Sequence, residues 1–270
     1  MESISLSPQI LFYIGALPIT NSFLWAVVLS LFIMTITLII RFSLKNVPGR
    51  LQNAFEILIE GAYSLVESVM GNEKKAKKIF PLVFTLFLFI LMANMATFIP
   101  GQSAITIKTA GGMVPLFRAI VADYSLVFVM TIISVITTQI VTIIAFGPFG
   151  YIFKFINIIG IKNFFLELFK GKFKPGMLAQ GLLDLFLGLM DIVGELAKIV
   201  SLSFRLFGNI FAGEVLGAVF LFLAPFIAPL PMQFLGLLTA IVQAFVFSIL
   251  TLIFIKMAGD TGEEELVEQN

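Results

Sequence analysis

A chain of 270 residues that is 59% apolar, with 31 Phe and a mean hydropathy of +1.07, lies outside soluble composition, which is nearer about 45–50% apolar. Its formal net charge of +1 says nothing about partners, and no nucleic-acid partner is expected. With neither Cys nor His, disulfides and thiol chemistry are excluded, and the usual zinc, haem and iron–sulfur sites have no ligands. Several apolar runs reach the ~20 residues that cross a bilayer as helix, and they are continuous rather than alternating. The expected class is an all-α polytopic membrane protein, one membrane domain over 1–270.

Residues 3–20 are weakly apolar, broken by Pro8 and Pro18, and read as a surface or interfacial segment. The N-terminus lacks the basic start and small-residue cleavage site of a removable signal peptide. A first span is expected at about 23–40, ending at Arg41, before a turn at Pro48-Gly49. From 51 to 70 the polar residues Gln52, Asn53, Glu56, Glu60, Ser64 and Glu67 recur at helical spacing beside apolar ones. That pattern predicts an amphipathic helix lying in the interface. The basic run Lys74 to Lys78 follows as a juxtamembrane cluster.

The second span, about 79–99, closes at Pro100-Gly101 and contains Asn94, read first as a helix-contact residue. A loop over 101–122 leads to the third span, about 124–146. Its Ser134, Thr137, Thr138, Gln139 and Thr142 are read as structural before they are read as transport residues. Gly147-Pro148-Phe149-Gly150 is expected to end that helix. Residues 151–175, with five lysines among aromatics, suit an interfacial hairpin.

A proline-free stretch from about 177 to 224 would be roughly 70 Å long as helix, against a hydrocarbon core of ~30 Å. It is expected to be steeply tilted or bent along the membrane plane. After a proline-rich turn over 225–231, a last helix is expected at about 232–257, then an acidic, soluble tail at 259–270. The sum is five transmembrane helices, two of them long and tilted, plus the interfacial helix. Thirteen Lys/Arg fall on one side and only Lys108 and Arg118 on the other, with Lys198 and Arg205 inside the long helix. The positive-inside rule then puts the N-terminus outside and the C-terminus in the cytoplasm.

On the long helix Asp184, Asp191, Lys198 and Arg205 are each seven residues apart, so they form one slowly turning polar stripe. Gly208 and Ala212 lie beside Arg205, leaving room for another helix. Glu195 lies to one side of the stripe, and Glu214 is half a turn away from Arg205. A buried arginine costs roughly 2.5–3.5 kcal/mol on insertion scales, so it needs a use. The residues one turn away are Ser201, Leu202, Gly208 and Asn209, none acidic. A stripe facing a partner protein or a water-filled cavity is therefore preferred to an internal ion pair. Arg is a poor proton carrier, but a fixed positive charge ~4 Å from a carboxylate attracts it by about 4 kcal/mol at an effective dielectric of ~20. That is enough to strip the carboxyl of its proton. On the last helix Gln243 sits by Ala244, Ala240 and Gly236. It suits close packing on the long helix with its carboxamide near Arg205, either as a helix–helix hydrogen bond or in function.

The run Ser201-Leu-Ser-Phe-Arg205-Leu-Phe-Gly-Asn209-Ile-Phe-Ala-Gly-Glu214, followed by Gln243-Ala-Phe-Val-Phe, closely resembles subunit a of F-type ATP synthases. Val47 to Asn53 and Asn94 to Gly101 are similar to that family too. The resemblance implies a stator in the bacterial plasma membrane, lying against a rotating ring of c subunits and assembled with peripheral-stalk subunit b and the catalytic headpiece. Arg205 would meet each ring carboxylate and separate two offset proton half-channels. Glu214, Asn209 and Gln243 would serve the outer one, with Asp123 near its mouth; Asp191, Glu195, Ser201 and Lys198 would line the cytoplasmic one. Position 236, where some relatives carry a His or Glu paired with the outer carboxylate, is Gly. No phosphate-binding glycine loop is present, so no cofactor and no catalytic site are expected on this chain. The competing readings are a self-contained secondary transporter with Arg205 on an anionic substrate, for which no inverted repeat is visible, and an assembly scaffold.

Overall fold

In the computed structural model, residues 8–45, 47–99, 105–109, 112–155, 175–223 and 229–268 are described. Six helices dominate: α1 (Asn21–Ser43), α2 (Arg50–Met70), α3 (Glu73–Ala96), α4 (Tyr124–Phe155), α5 (Pro175–Leu223) and α6 (Pro229–Glu268). Among the described residues, four stretches of helix are long and apolar enough to cross a membrane: Asn21–Ser43, Glu73–Ala96, Tyr124–Ile144 and Leu230–Ala258. The chain forms two compact units, Met1–Met130 with Ser203–Leu252, and Thr131–Leu202 with Ile253–Asn270.

In the first unit, two short antiparallel hairpins qualify the all-α expectation. β1 (Ile10–Ile14) pairs with β2 (Leu17–Thr20), and β3 (Thr106–Thr109) with β4 (Gly112–Pro115). β1 is rich in β-branched and aromatic residues, and Gly15, at φ +62°, takes the left-handed turn that other residues avoid. Buried Asn21 ties the hairpins together: its Oδ1 accepts from Gln9 N at 3.3 Å and its Nδ2 donates to Pro115 O at 3.3 Å. Thr20 caps α1, its Oγ1 accepting from Phe23 N.

The basic cluster at 74–78 forms the opening of α3. Asn72 accepts from Lys74 N and Lys75 N, and Glu73 offsets the lysines at the positive end of the helix dipole. α2 ends at Gly71, whose left-handed backbone returns its N–H to Glu67 O at 2.8 Å. Its last turns bury Val66 and Met70 against Ala76, Val83 and Leu252, whereas Phe55, Ile57, Leu58 and Ile59 are exposed.

Two expected helix ends move. Gly147 kinks α4 (φ 73°, ψ 164°) rather than ending it, and helix resumes to Phe155. The expected hairpin beyond 155 lies outside the described residues, as do Pro225 to Ala228 of the proline-rich turn. The last helix does not stop near 257 but runs on through the acidic tail to Glu268, because Glu263 to Leu266 are good helix formers and no proline intervenes.

Candidate functional site

Within the first unit, α5 buries Ser203, Leu206 and Ile210, a stripe of period three to four. Tyr124 anchors this face. Its ring lies 5.6 Å from that of Phe204 and 5.5 Å, edge-on, from that of Phe207, and its hydroxyl is 3.5 Å from Ser203 Oγ. With those positions turned inward, Arg205 and Ala212 are turned out. Arg205 is exposed and makes no hydrogen bond or ion pair with any described residue. A β-carbon added at Gly208, one turn beyond Arg205, would meet nothing within 4 Å, so the surface beside the guanidinium is open there.

A cavity of about 660 Å³ opens beside the same segment and reaches Ala212, walled by α5, α6 and the residues that follow α3. Glu214 is the one ionisable side chain among the described residues that line it; Asn209, Thr97, Thr239 and Gln233 supply the other polar groups. Asn209 Nδ2 reaches Thr239 O at 3.5 Å, and Thr239 Oγ1 donates to Gly236 O at 2.9 Å. Arg118, ahead of α4, is near enough to act on Glu214 electrostatically. In the same lining the Phe98 ring lies against Gly236: a β-carbon there would stand 3.0 Å from Phe98 Cε1 and Cζ.

Two expected members of this group stand elsewhere. Gln243 is buried, its Nε2 has no partner among the described residues, and no hydrogen bond joins it to Arg205. One turn earlier, Asn94 Nδ2 donates to Ala240 O at 3.0 Å, making Asn94 a fully buried helix contact. Asp123 does not line the cavity. It is buried at the start of α4, where Oδ1 accepts from Ser125 N and Oδ2 accepts from the Ser22 hydroxyl.

The second unit holds a separate polar cluster. Glu195 Oε1 accepts from Lys198 Nζ at 2.8 Å, and Glu195 Oε2 accepts from Gln139 Nε2 at 2.7 Å. Gln139 Oε1 in turn accepts from the Tyr151 hydroxyl at 3.1 Å. The Lys198 ammonium sits 5.0 Å over the Phe254 ring. Burial, with the Glu195 carboxylate nearby, pushes the Tyr151 phenol above its ordinary value, so it stays a donor through the physiological range. Gln139, Tyr151 and Glu195 face a cavity of about 360 Å³ whose other walls are apolar. Asp191 and Ser201 are exposed and line neither cavity.

Sequence reasoning did not single out Tyr151, Gln233, Thr97 or Phe98, and it weighed Gln139 as structural. A polar residue at helical spacing inside an apolar run was the available signal for Gln139 and Gln233. Tyr151 and Phe98 carried none, because aromatics are common throughout the chain.

A family model described as ATP synthase A chain matches residues 22–256. The chain is similar to the ATP synthase subunit a of Moorella thermoacetica, 30% identical over 248 residues, 92% of this chain and 94% of that one. It is similar to ATP synthase subunit a of Geobacter sulfurreducens, 33% identical over 238 residues, 87% and 85% of the two chains. The corresponding protein of Geotalea daltonii is 30% identical over 241 residues, 89% and 87% of the two.

Proposed function

Because this chain belongs to the ATP synthase A chain family, and so is the proton-conducting stator subunit of such a complex, we propose that Arg205 is the charge that divides its proton path. The observation that carries this reading is the state of Arg205: exposed, unpaired among the described residues, and one turn from the unobstructed Gly208. An arginine in an apolar helix without a partner on its own chain calls for one elsewhere. A carboxylate on a rotating ring of c subunits meets the requirement, since Arg205 attracts it while ionised and releases it once it is protonated from the other side.

On this reading Glu214, with Asn209, Gln233 and Thr239, serves the outer half-channel through the larger cavity. Glu195 and Lys198, with Asp191 and Ser201 toward the water, serve the cytoplasmic one. The long helix Pro175–Leu223 supplies the fifth crossing and runs tilted, because 49 residues of helix measure roughly 74 Å against a core of ~30 Å. α2 lies in the interface, with Phe55, Leu58 and Ile59 toward lipid. The charge asymmetry sets the N-terminus outside and the C-terminus in the cytoplasm of a bacterial plasma membrane. Subunit b and the catalytic headpiece complete the assembly.

Cross-linking tests the partner surface. The chain has no native Cys, so Gly208→Cys in the assembled complex introduces one thiol beside Arg205, where an added β-carbon meets nothing within 4 Å. It should form a reducible disulfide with a cysteine placed beside the ring carboxylate. Failure with all of several ring positions, in complexes that assemble normally, would mean that this face looks at lipid instead.

A further inference from the structure

We infer that Gln139 and Tyr151 are positioning residues of the cytoplasmic half-channel, holding one oxygen of the Glu195 carboxylate beside the smaller cavity; this rests on the assignment of Glu195 to that half-channel. Twelve residues separate Gln139 from Tyr151, and along an unbroken helix they would stand roughly 18 Å apart. They meet at 3.1 Å because Gly147 (φ 73°, ψ 164°) turns the chain. Such a backbone conformation is essentially restricted to glycine. The contact is thus a product of the kink.

The hydrogen bonds fix a direction. The Tyr151 hydroxyl has one proton to give and gives it to Gln139 Oε1, which leaves the amide N–H groups of Gln139 toward Glu195. Without Tyr151 the amide is free to flip, and its oxygen would then face a carboxylate oxygen. A carboxamide neither gains nor loses a proton near neutral pH, so Gln139 orients Glu195 rather than relaying through it. Lys198 binds the other carboxylate oxygen, and the lone pairs that remain are available to water. The cavity of about 360 Å³ leaves room for water beside these groups. Its wall is otherwise Val135, Ile192, Leu196, Ile199 and Phe155, so polar chemistry is confined to this one group of side chains. Among the described residues, the charged and titratable groups near Glu195 are Lys198 and, one turn earlier, Asp191 on its own helix, and Tyr151 on α4. The last helix offers the Phe254 ring beneath Lys198.

The test uses the whole complex in vesicles, reading ATP-driven proton pumping against pH on the headpiece side. Tyr151→Phe removes only the hydroxyl and keeps the edge-to-face contact with Phe155 at 5.1 Å, so it isolates the hydrogen bond without threatening the fold. A carboxylate that loses an N–H donor holds its proton more tightly. Tyr151→Phe and Gln139→Leu should therefore each move the pH midpoint upward, by about one unit at most. The double variant should match Gln139→Leu alone, because Tyr151 acts through Gln139. An unmoved midpoint in Tyr151→Phe, or a full further shift when it is added to Gln139→Leu, would overturn the inference. Glu195→Gln in the same vesicles separates the two levels. If its pumping and pH profile equal those of the parent complex, the half-channel assignment itself fails. If Glu195→Gln alters them and the other two do not, only the positioning role fails.

Discussion

The Phe98 ring occupies the space into which a side chain at Gly236 would project, 3.0 Å from the place of its β-carbon. The two residues therefore exclude a second ionisable side chain from that part of the cavity, so the lining gives Glu214 only neutral polar neighbours and Arg118 acts on it from outside the lining. Gly236→His should be overpacked, at a cost of about 1–3 kcal/mol, and should lower pumping at least several-fold. Adding Phe98→Ala makes room. The double variant should recover part of the rate and gain an inflection near the imidazole pKa of about 6.5 in its dependence on outer pH. Equal pumping by Gly236→His and the parent would show that the ring yields freely. Glu214→Gln should slow flux without opening a leak.

Asp123 and Ser22 join the starts of α4 and α1 through a buried hydrogen bond. Ser22→Ala leaves that carboxylate oxygen without its donor, which costs about 1.5–3 kcal/mol for a charged acceptor. The expected result is earlier thermal inactivation of the complex, with the initial pumping rate per assembled complex near normal. A lowered initial rate at unchanged thermal stability would instead place the pair in the ion path.

Gly147→Ala meets no steric obstacle, since nothing lies within 4 Å of the added carbon, but it forces a side chain into a backbone conformation costing about 1–3 kcal/mol. The kink should relax and separate Tyr151 from Gln139. Its pumping profile should then shift in the direction of Tyr151→Phe. A profile like that of the parent would mean that the kink does not depend on glycine.

Helical periodicity made the apolar crossings and the outward stripe at Arg205 and Ala212 legible in the sequence. In α5 that same periodicity sets which residues are buried: Ser203, Leu206 and Ile210 on one side, Arg205 on the other. What was not legible depends on single backbone choices and on chain reversal. Gly147-Pro148 reads as a helix end, and only the φ of Gly147 distinguishes an end from a kink. The Tyr151–Gln139 contact follows from that choice and has no periodic signature. The hairpin at 10–20 turns on Gly15 in a stretch too short for alternation to be read. Phe98 against Gly236 is a meeting of distant segments, one of many aromatic contacts that a chain with 31 Phe can make.

The most direct test of the central claim is Arg205→Ala in the assembled, reconstituted complex, with ATP-driven pumping and passive proton flux measured on the same vesicles. If Arg205 is the charge that keeps the two half-channels apart, pumping falls to background while passive flux persists or rises. Pumping at the parent rate with no change in passive flux would contradict the account.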